Sequence, residues 1–292
     1  MNHSILIIGC TGMLGHLLFR YLSEKPDLDV YATARRLEKD ACHFPQFLID
    51  KIISNIDINE FDSVINVLSS LRPKFVINCA AVTDFLSITK NLVKAVSINS
   101  IFPHRLSLLC NLLDTRLIHI GTDGVFDGKK GDYTENDAVS ISDIYGMTKY
   151  LGELRNPGCV TLRLSIIGHE IKKKTGLVEW FLSQDNNVRG YTRAIYSGLP
   201  TVELAEIIYD YILPNDNLSG IYHVSSNPIS KYDLLHLIAA RYGKTIQIDQ
   251  SDEVIIDRSL NSNVFRGLTG YNPPSWPELI NKMYLDYIKH KG

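Results

Sequence analysis

Apolar residues in this chain follow two rhythms. Short unbroken runs rich in β-branched residues alternate with longer stretches in which apolar positions recur every three or four residues. The runs read as strands buried on both faces, and the stretches as amphipathic helices. Residues 4–8 are such a run, and helical spacing follows over Met13–Ser23. Leu28–Thr33 is a second strand, and residues 47–49 a third that ends at Asp50. Residues 57–71 are helical and stop just before Arg72-Pro73. Residues 74–81 form a strand whose end turns to small residues. Residues 92–113 are helical, with Pro103 expected to kink or split the helix. Arg116–Ile120 is a strand, residues 121–131 a Gly/Asp-rich loop, 145–154 a helix and 159–165 a strand.

Strand and helix alternate to about residue 168, the pattern of an α/β protein with a Rossmann-type doubly wound parallel sheet. The rhythm then changes. Residues 171–197 mix charges, glycines and aromatics and read as a loop-rich insertion. Residues 202–213 and Lys231–Tyr242 read as helices, with a strand over 220–225 between them. The stretch "NPPSWPELI" (272–280) sets prolines before a last helix. Residues 1–168 are therefore expected to form a nucleotide-binding domain. Residues 169–292 are expected to form a smaller C-terminal substrate-binding lobe, within which the chain can return to the sheet. No internal repeat or low-complexity segment breaks this plan.

Composition narrows the partners. Charged residues make up 21% and hydrophobic residues 45% of the 292 positions, as in ordinary globular proteins. A net charge of −2 gives no electrostatic reason to expect nucleic acid or an anionic membrane. The one basic run, Lys172-Lys173-Lys174, reads as a solvated loop. Cysteines at 10, 42, 79, 110 and 159 are odd in number and include no C-x-x-C pair. That pattern suits a reducing compartment, so a cytoplasmic location is expected. No apolar run reaches the ~18 to 20 residues that span a bilayer, and no signal peptide is legible at the start. The histidines form no ligand pair, so no metal is expected.

Candidate chemistry begins with "GCTGMLG", directly after the first strand and opening the first helix. Gly9, Gly12 and Gly15 allow an unusual turn and let a diphosphate approach the main chain, while the helix N-terminus offers free N–H groups. A carboxylate at the end of the second strand would bind an adenosine 2′-hydroxyl. This chain has "TARR" there instead. Arg35 and Arg36 match a 2′-phosphate in charge and geometry, so NADP(H) is expected over NAD(H). Asp50, after the third apolar run, is expected to meet the adenine amino group.

The segment "DIYGMTKYLGE" then sets Tyr145 four places before Lys149, on one face of a helix. A free phenol has a pKa of about 10 and is a poor acid at neutral pH. An ammonium group ~4 Å away is worth about 4 kcal/mol at an effective dielectric of about 20. On that arithmetic Lys149 is expected to acidify Tyr145 and make it a proton donor to a carbonyl. Thr122, in "HIGTDGVFDG", follows an apolar strand and so lies at the sheet edge where ligands bind. Its hydroxyl could hold that carbonyl.

Together these segments resemble the extended short-chain dehydrogenase/reductases, and within them the dTDP-4-dehydrorhamnose reductase family. The resemblance covers nearly the whole chain. It rests on "GCTGMLG", "VINCAAVTD", "SINS", "GTDGVFDGKKGDYTE", "YGMTKYLGE", "LRLSIIG" and "GIYHVSS". It implies a catalytic set of Thr122, Tyr145 and Lys149, with Asn99 supporting the lysine through water. It implies cofactor contacts from Gly9, Thr11, Gly12, Met13, Leu14, Gly15, Cys79, Ala80, Ala81, Tyr145 and Lys149. Substrate contacts would come from Thr83, Thr122 and Asp123, with Tyr191, Arg193 and Tyr196 on the base and diphosphate. The activity implied is NADPH-dependent reduction of the 4-keto group of a nucleotide-activated 6-deoxy-4-keto sugar, feeding a surface polysaccharide. A homodimer is common among such proteins.

The chain also departs from that pattern. Gly121 stands where the family has serine, and Gly124 where it has an aromatic residue. Both are expected to loosen the pocket floor. Residues 188–201 differ from the usual reductase sequence. Arg35 and Arg36 argue against an epimerase, and Gly124 against a dehydratase, which needs an acid there. A non-catalytic NADP-binding subunit resembling the regulatory subunit of methionine adenosyltransferase stays open. So does an NADP-sensing repressor.

Overall fold

The computed structural model of the chain describes residues 3–37, 41–172 and 175–290. Lys173 and Lys174, two of the three residues of the lysine run, lie outside the described residues. Strand β1 (His3–Ile8) sets the architecture. Ile5, Leu6, Ile7 and Ile8 are all buried, because alternate side chains face opposite layers and both layers are covered. β1 pairs in parallel with β2 (Leu28–Thr33) on one side and with β4 (Phe75–Asn78) on the other. β3 (Ile52–Ile53) continues beyond β2, and β5 (Arg116–Ile120), β6 (Cys159–Arg163) and β11 (Gly220–His223) continue beyond β4. The order is β11-β6-β5-β4-β1-β2-β3, with every pair parallel. The winding reverses between β1 and β4, which opens a crevice at the carboxyl ends of those strands.

Helix α1 (Met13–Ser23) and helix α9 (Thr201–Ile207) cover one face of the sheet through Leu14, Leu18, Leu204 and Ile207. Helices α3 (Phe61–Leu71) and α6 (Phe102–Leu112) cover the other through Val64, Leu68, Leu106 and Cys110. Helix α7 (Ile144–Tyr150) follows β5, with its N-terminus capped by Asp143, whose side chain accepts from Gly146 N. The sheet is not built from the first 168 residues alone, since β11 completes it at residues 220–223.

The chain after β6 also builds a smaller lobe. β7 (Ile166–Ile167) pairs with β10 (Leu199–Pro200), and β8 (Val188–Tyr191) with β13 (Ile248–Ser251). β9 (Ala194–Tyr196) lies between β12 (Ile229–Ser230) and β14 (Ile256–Asp257). Helices α8 (Leu177–Leu182), α10 (Lys231–Tyr242) and α12 (Trp276–His290) close its core with Val178, Phe181, Leu234, Ile238 and Leu279. Ordered elements thus occupy much of the stretch expected to be loop. Among the described residues no helix is long and apolar enough to cross a membrane, and none of the five cysteines is in a disulfide.

Two expectations change. Residues 47–49 are not the third strand. They belong to a short helix, α2 (Gln46–Ile49), in which Leu48 is buried and Phe47 is exposed. A three-residue apolar run carries too little length to show a period. The strand comes at Ile52–Ile53, where Ala32 and Thr33 offer partners. Asp50 therefore stands at the amino end of β3, exposed and 3.4 Å from Gln46 Nε2. Asp50 thus precedes Ile52, the partner of Ala32, instead of following the strand, which moves it back from the carboxyl edge where the adenine contact was expected. Pro103 acts more gently than a break. Helices α4 (Phe85–Lys90) and α5 (Leu92–Val96) lead into a π-helical turn, Ser97–Ile101, and α6 continues with Pro103 in its first turn. Proline has no N–H to bond four residues back, and a wider turn absorbs the defect. Residues 202–213 behave similarly, as α9 runs into a π-helical turn at Ile208–Ile212.

A buried ion pair joins the segment just after α7 to the sheet. Arg163, on β6, holds Glu153 with two bonds, Nε to Oε1 at 2.7 Å and Nη2 to Oε2 at 2.9 Å. The two side chains are only 1% and 4% exposed. Glu153→Gln should leave the guanidinium without its counter-charge and cost about 3–5 kcal/mol. Chemical denaturation monitored by circular dichroism measures the loss.

Candidate active site

The loop after β1 lies at the β1/β4 crevice. Gly9 has φ +91°, a region that favours glycine, and a Cβ there would sit 3.1 Å from Ala80 N. Gly15 presses on the Gly9 carbonyl, so a side chain there would collide with main chain. Gly12 has only the Gly9 carbonyl near its Cβ direction, at 3.6 Å, and it is exposed. The three glycines thus serve a turn, an open approach and a close packing. The first turn of α1 has no side-chain cap. His16, buried and held neutral because burial lowers it to about 4, donates from Nδ1 to Gly12 O at 2.9 Å. Thr11 and Met13 are half-buried beside the loop, Leu14 is buried in the core, and Cys79, Ala80 and Ala81 line the end of β4 opposite. Arg35 and Arg36 follow β2 at the same edge with exposed side chains. An uncapped helix start behind an open glycine turn, with two exposed cations alongside, fits a dinucleotide that ends in a phosphate.

Thr122, Tyr145 and Lys149 converge at the end of β5. Thr122 caps a short turn, its Oγ1 accepting from Gly124 N at 3.1 Å. The Thr122 hydroxyl and the Tyr145 ring both face Gly124, so the two side chains lie side by side. Lys149 is buried and donates from Nζ to Ile120 O at 2.7 Å. Electrostatics depart here from the simple expectation. Burial pushes Tyr145 up to about 12, with Asp123 and Asp143 adding to the rise and Thr122 opposing it. Burial lowers Lys149 to about 8, against the pull of Glu153 and Cys79. The lysine therefore does not acidify the phenol in this arrangement. Its charge is spent on the Ile120 carbonyl, and desolvation dominates both groups. Tyr145 is a protonated phenol at neutral pH, which is the state a proton donor requires.

Asn99 lies in the π-helical turn and is fully buried. Its Oδ1 accepts from Val82 N at 2.8 Å, and its Nδ2 donates to Val82 O at 2.9 Å and to Thr148 Oγ1 at 3.0 Å. The side chain clamps the chain after β4 to α7, and both of its amide protons go to Val82 and Thr148. Gly152 fits against the Asn99 carbonyl, where any side chain would collide. Thr83, one residue beyond the clamp, is exposed at the crevice.

Next to Thr122, Asp123 meets residues of the C-terminal lobe that no motif announced. Asp123 is pushed up to about 6 by burial, and two cations of the C-terminal lobe, Arg258 and Lys231, draw it back. Arg258 also donates from Nη2 to Ser142 Oγ at 2.9 Å and lies 3.5 Å from Asp143 Oδ2. They stand more than a hundred positions along the chain from Asp123, in stretches with no glycine or tyrosine signature, so only folding reveals them. Tyr191 is half-buried and Arg193 exposed. Tyr196 is buried, its ring packed on Trp276 at 5.8 Å between centroids and its hydroxyl over Gly198. Its ring is taken up by the core of the lobe and is not presented to the crevice. Gly121 does not loosen the pocket floor. A Cβ there would meet Leu162 O at 3.0 Å, so main chain of β6 fills the place. Gly124 does face the pair, its Cβ direction 3.3 Å from Thr122 Oγ1 and 3.7 Å from Tyr145 Cδ1.

Comparison with known proteins agrees with this geometry. The family model described as "RmlD substrate binding domain" matches residues 2–262. A probable low-salt glycan biosynthesis reductase of Haloferax volcanii is 31% identical over 55% of this chain, a match that spans about half, 52%, of that relative's length. The dTDP-4-dehydrorhamnose reductase of Aggregatibacter actinomycetemcomitans is 27% identical over 78% of this chain and 76% of its own. Methionine adenosyltransferase 2 subunit beta of Danio rerio is 26% identical over 80% of this chain and 72% of its own. Among solved structures, dTDP-4-dehydrorhamnose reductase from Bacillus anthracis in complex with NADP shares the fold, with a TM-score of 0.80, 21% identity and coverage of 98% and 99% of the two chains.

Removing the Asn99 clamp should be felt at a distance from the chemistry. Asn99→Ala leaves the half-buried Val82 N–H and C=O without their partners, at about 1 kcal/mol. Hydrogen exchange at the Val82 amide should accelerate accordingly, while exchange in β1 stays unchanged.

Proposed function

The chain belongs to the RmlD substrate binding domain family, and on that footing we propose that it is an NADPH-dependent reductase of a nucleotide-activated 6-deoxy-4-keto sugar. The observation that carries this reading is the convergence of Thr122, the Tyr145 phenol and Lys149 at the carboxyl edge of the sheet, beside the β1/β4 crevice. The glycine loop, the residues ending β4 and the two arginines after β2 would hold the dinucleotide, and NADPH bound there supplies a hydride. Thr122 orients the sugar carbonyl through its hydroxyl. Tyr145 gives its proton to the carbonyl oxygen as negative charge develops on it, so burial of the phenol keeps the proton available until that moment. Lys149, bonded to the Ile120 carbonyl, holds the helix that carries Tyr145 in place against the sheet edge. Asp123, Lys231 and Arg258 face the sugar-nucleotide side from two lobes. The relatives' names support a sugar-nucleotide substrate, since one is a dTDP-4-dehydrorhamnose reductase and another a dTDP-4-keto-6-deoxy-D-glucose reductase of Streptomyces niveus.

A second reading follows from the relative named as a methionine adenosyltransferase subunit. On that reading the same cleft binds NADP and the chain serves a partner protein without turnover. The intact Thr122, Tyr145 and Lys149 set favours the reductase.

Loss of nicotinamide absorbance with 4-keto sugar nucleotides tests the choice. Turnover supports the reductase, and firm NADP binding with no turnover on any such sugar supports the subunit. Tyr145→Phe should lower kcat by about 10²- to 10⁴-fold with the far-ultraviolet circular dichroism unchanged. In a thermal-shift titration NADP should raise Tm more than NAD does. The double change Arg35→Ala, Arg36→Ala should weaken NADP by roughly ten- to hundredfold and leave NAD nearly untouched. Equal weakening of both cofactors would overturn the assignment of the arginines to a 2′-phosphate.

A further inference from the structure

One buried polar atom in the layer beneath Lys149 has no partner. His119, on β5, is fully buried, and its Nδ1 lies 3.1 Å from Asn78 Nδ2. The orientation of Asn78 is set separately, because its Oδ1 accepts from Ala80 N at 3.2 Å. The amide nitrogen must then donate, so Nδ1 of His119 accepts and carries no proton. Burial holds the imidazole well below its ordinary value, so the ring is neutral. Its single proton therefore sits on Nε2, and Nε2 is buried without a hydrogen-bond partner. An orphaned buried N–H costs about 1–3 kcal/mol, and native proteins fill such a place with a polar group or an ordered water.

The surroundings say what that proton meets. Leu117, two residues earlier on β5, packs with Phe102 and Leu106, so His119 points to the same helical layer. On the neighbouring strand Thr161 is its partner, and the Thr161 hydroxyl is bonded to Leu154 N and O just after α7. Lys149 reaches down to the same strand one residue further, at Ile120 O. Asn99 has both amide protons committed elsewhere. His119 Nε2 and the remaining protons of the Lys149 ammonium group are donors close to the end of β5. Two donors need an acceptor that neither can supply, and a water oxygen accepts from both.

We propose that His119 is a positioning residue for Lys149, acting through one buried water molecule that accepts from His119 Nε2 and from the Lys149 ammonium group. Its bearing on turnover rests on the role given to Lys149 above. The lysine is otherwise faced by Glu153 from the end of α7 and by the Cys79 thiol from the end of β4, both of which favour its charge, while burial opposes it. The water adds an oxygen dipole to the charged form.

The test follows the charge on the lysine. Asparagine at 119 keeps an acceptor for Asn78 and removes the ε donor, whereas glutamine keeps a donor near the ε position. The Lys149 titration, followed by NMR of isotope-labelled lysine, should move down by about one pKa unit in His119→Asn and stay unchanged in His119→Gln. The direction follows because losing an acceptor of ammonium protons disfavours the charged lysine. The alkaline limb of NADPH oxidation should move the same way. A His119→Asn protein that titrates like the wild type, or a His119→Gln protein that falls as far as His119→Asn, overturns the proposal. A high-resolution crystal structure of the unaltered protein decides it without variants. It should show an ordered water about 3 Å from His119 Nε2, and density with no water there overturns the proposal. Should the protein reduce no 4-keto sugar nucleotide, the reductase reading falls, and the lysine titration still decides the role of His119.

Discussion

Lys149 hangs its ammonium group from the Ile120 carbonyl, and the geometry of the cleft follows from that bond. The carbonyl belongs to the last residue of a central strand, where Ile120 is held in register with Leu162 of β6. A buried lysine is costly unless its protons find partners. The bond therefore fixes how α7 lies on the sheet, and Tyr145 comes to rest beside Thr122 as a result. The Arg163–Glu153 pair holds the other end of the same segment. Between these two anchors α7 has little freedom to roll.

The desolvation that stiffens the helix also sets the proton states. The phenol keeps its proton and the lysine gives its own up more readily than in water. A donor with a raised pKa looks poorly prepared for catalysis when judged alone. It is well prepared for a substrate oxygen that becomes strongly basic only as hydride arrives. In the proposed reduction Thr122 and the cations of the second lobe would act where charge appears.

Much of this was legible in the residues. β2, β5 and α1 fall on the expected boundaries, because long periodic runs leave little choice. The glycine loop was legible for the same reason: backbone dihedrals and close packing exclude other residues. What failed was short or electrostatic. Three apolar residues before Asp50 carried no period and turned into a helix. The acidified tyrosine was inferred from the spacing of two residues, which says nothing about how deeply each is buried. Lys231, Arg258 and His119 were invisible, since tertiary folding alone brings them to Asp123 and Lys149.

Strand β11 has one more implication. It closes the edge of the sheet beside β6, yet it is encoded after the chain has already entered the second lobe and built β7 to β10. During translation β6 must wait as an open apolar edge until more than fifty further residues have left the ribosome, a span of several seconds at ordinary synthesis rates. An unpaired edge invites pairing with other chains. The two lobes are thus interleaved in assembly order, and the nascent protein is most exposed to misassembly late in its synthesis.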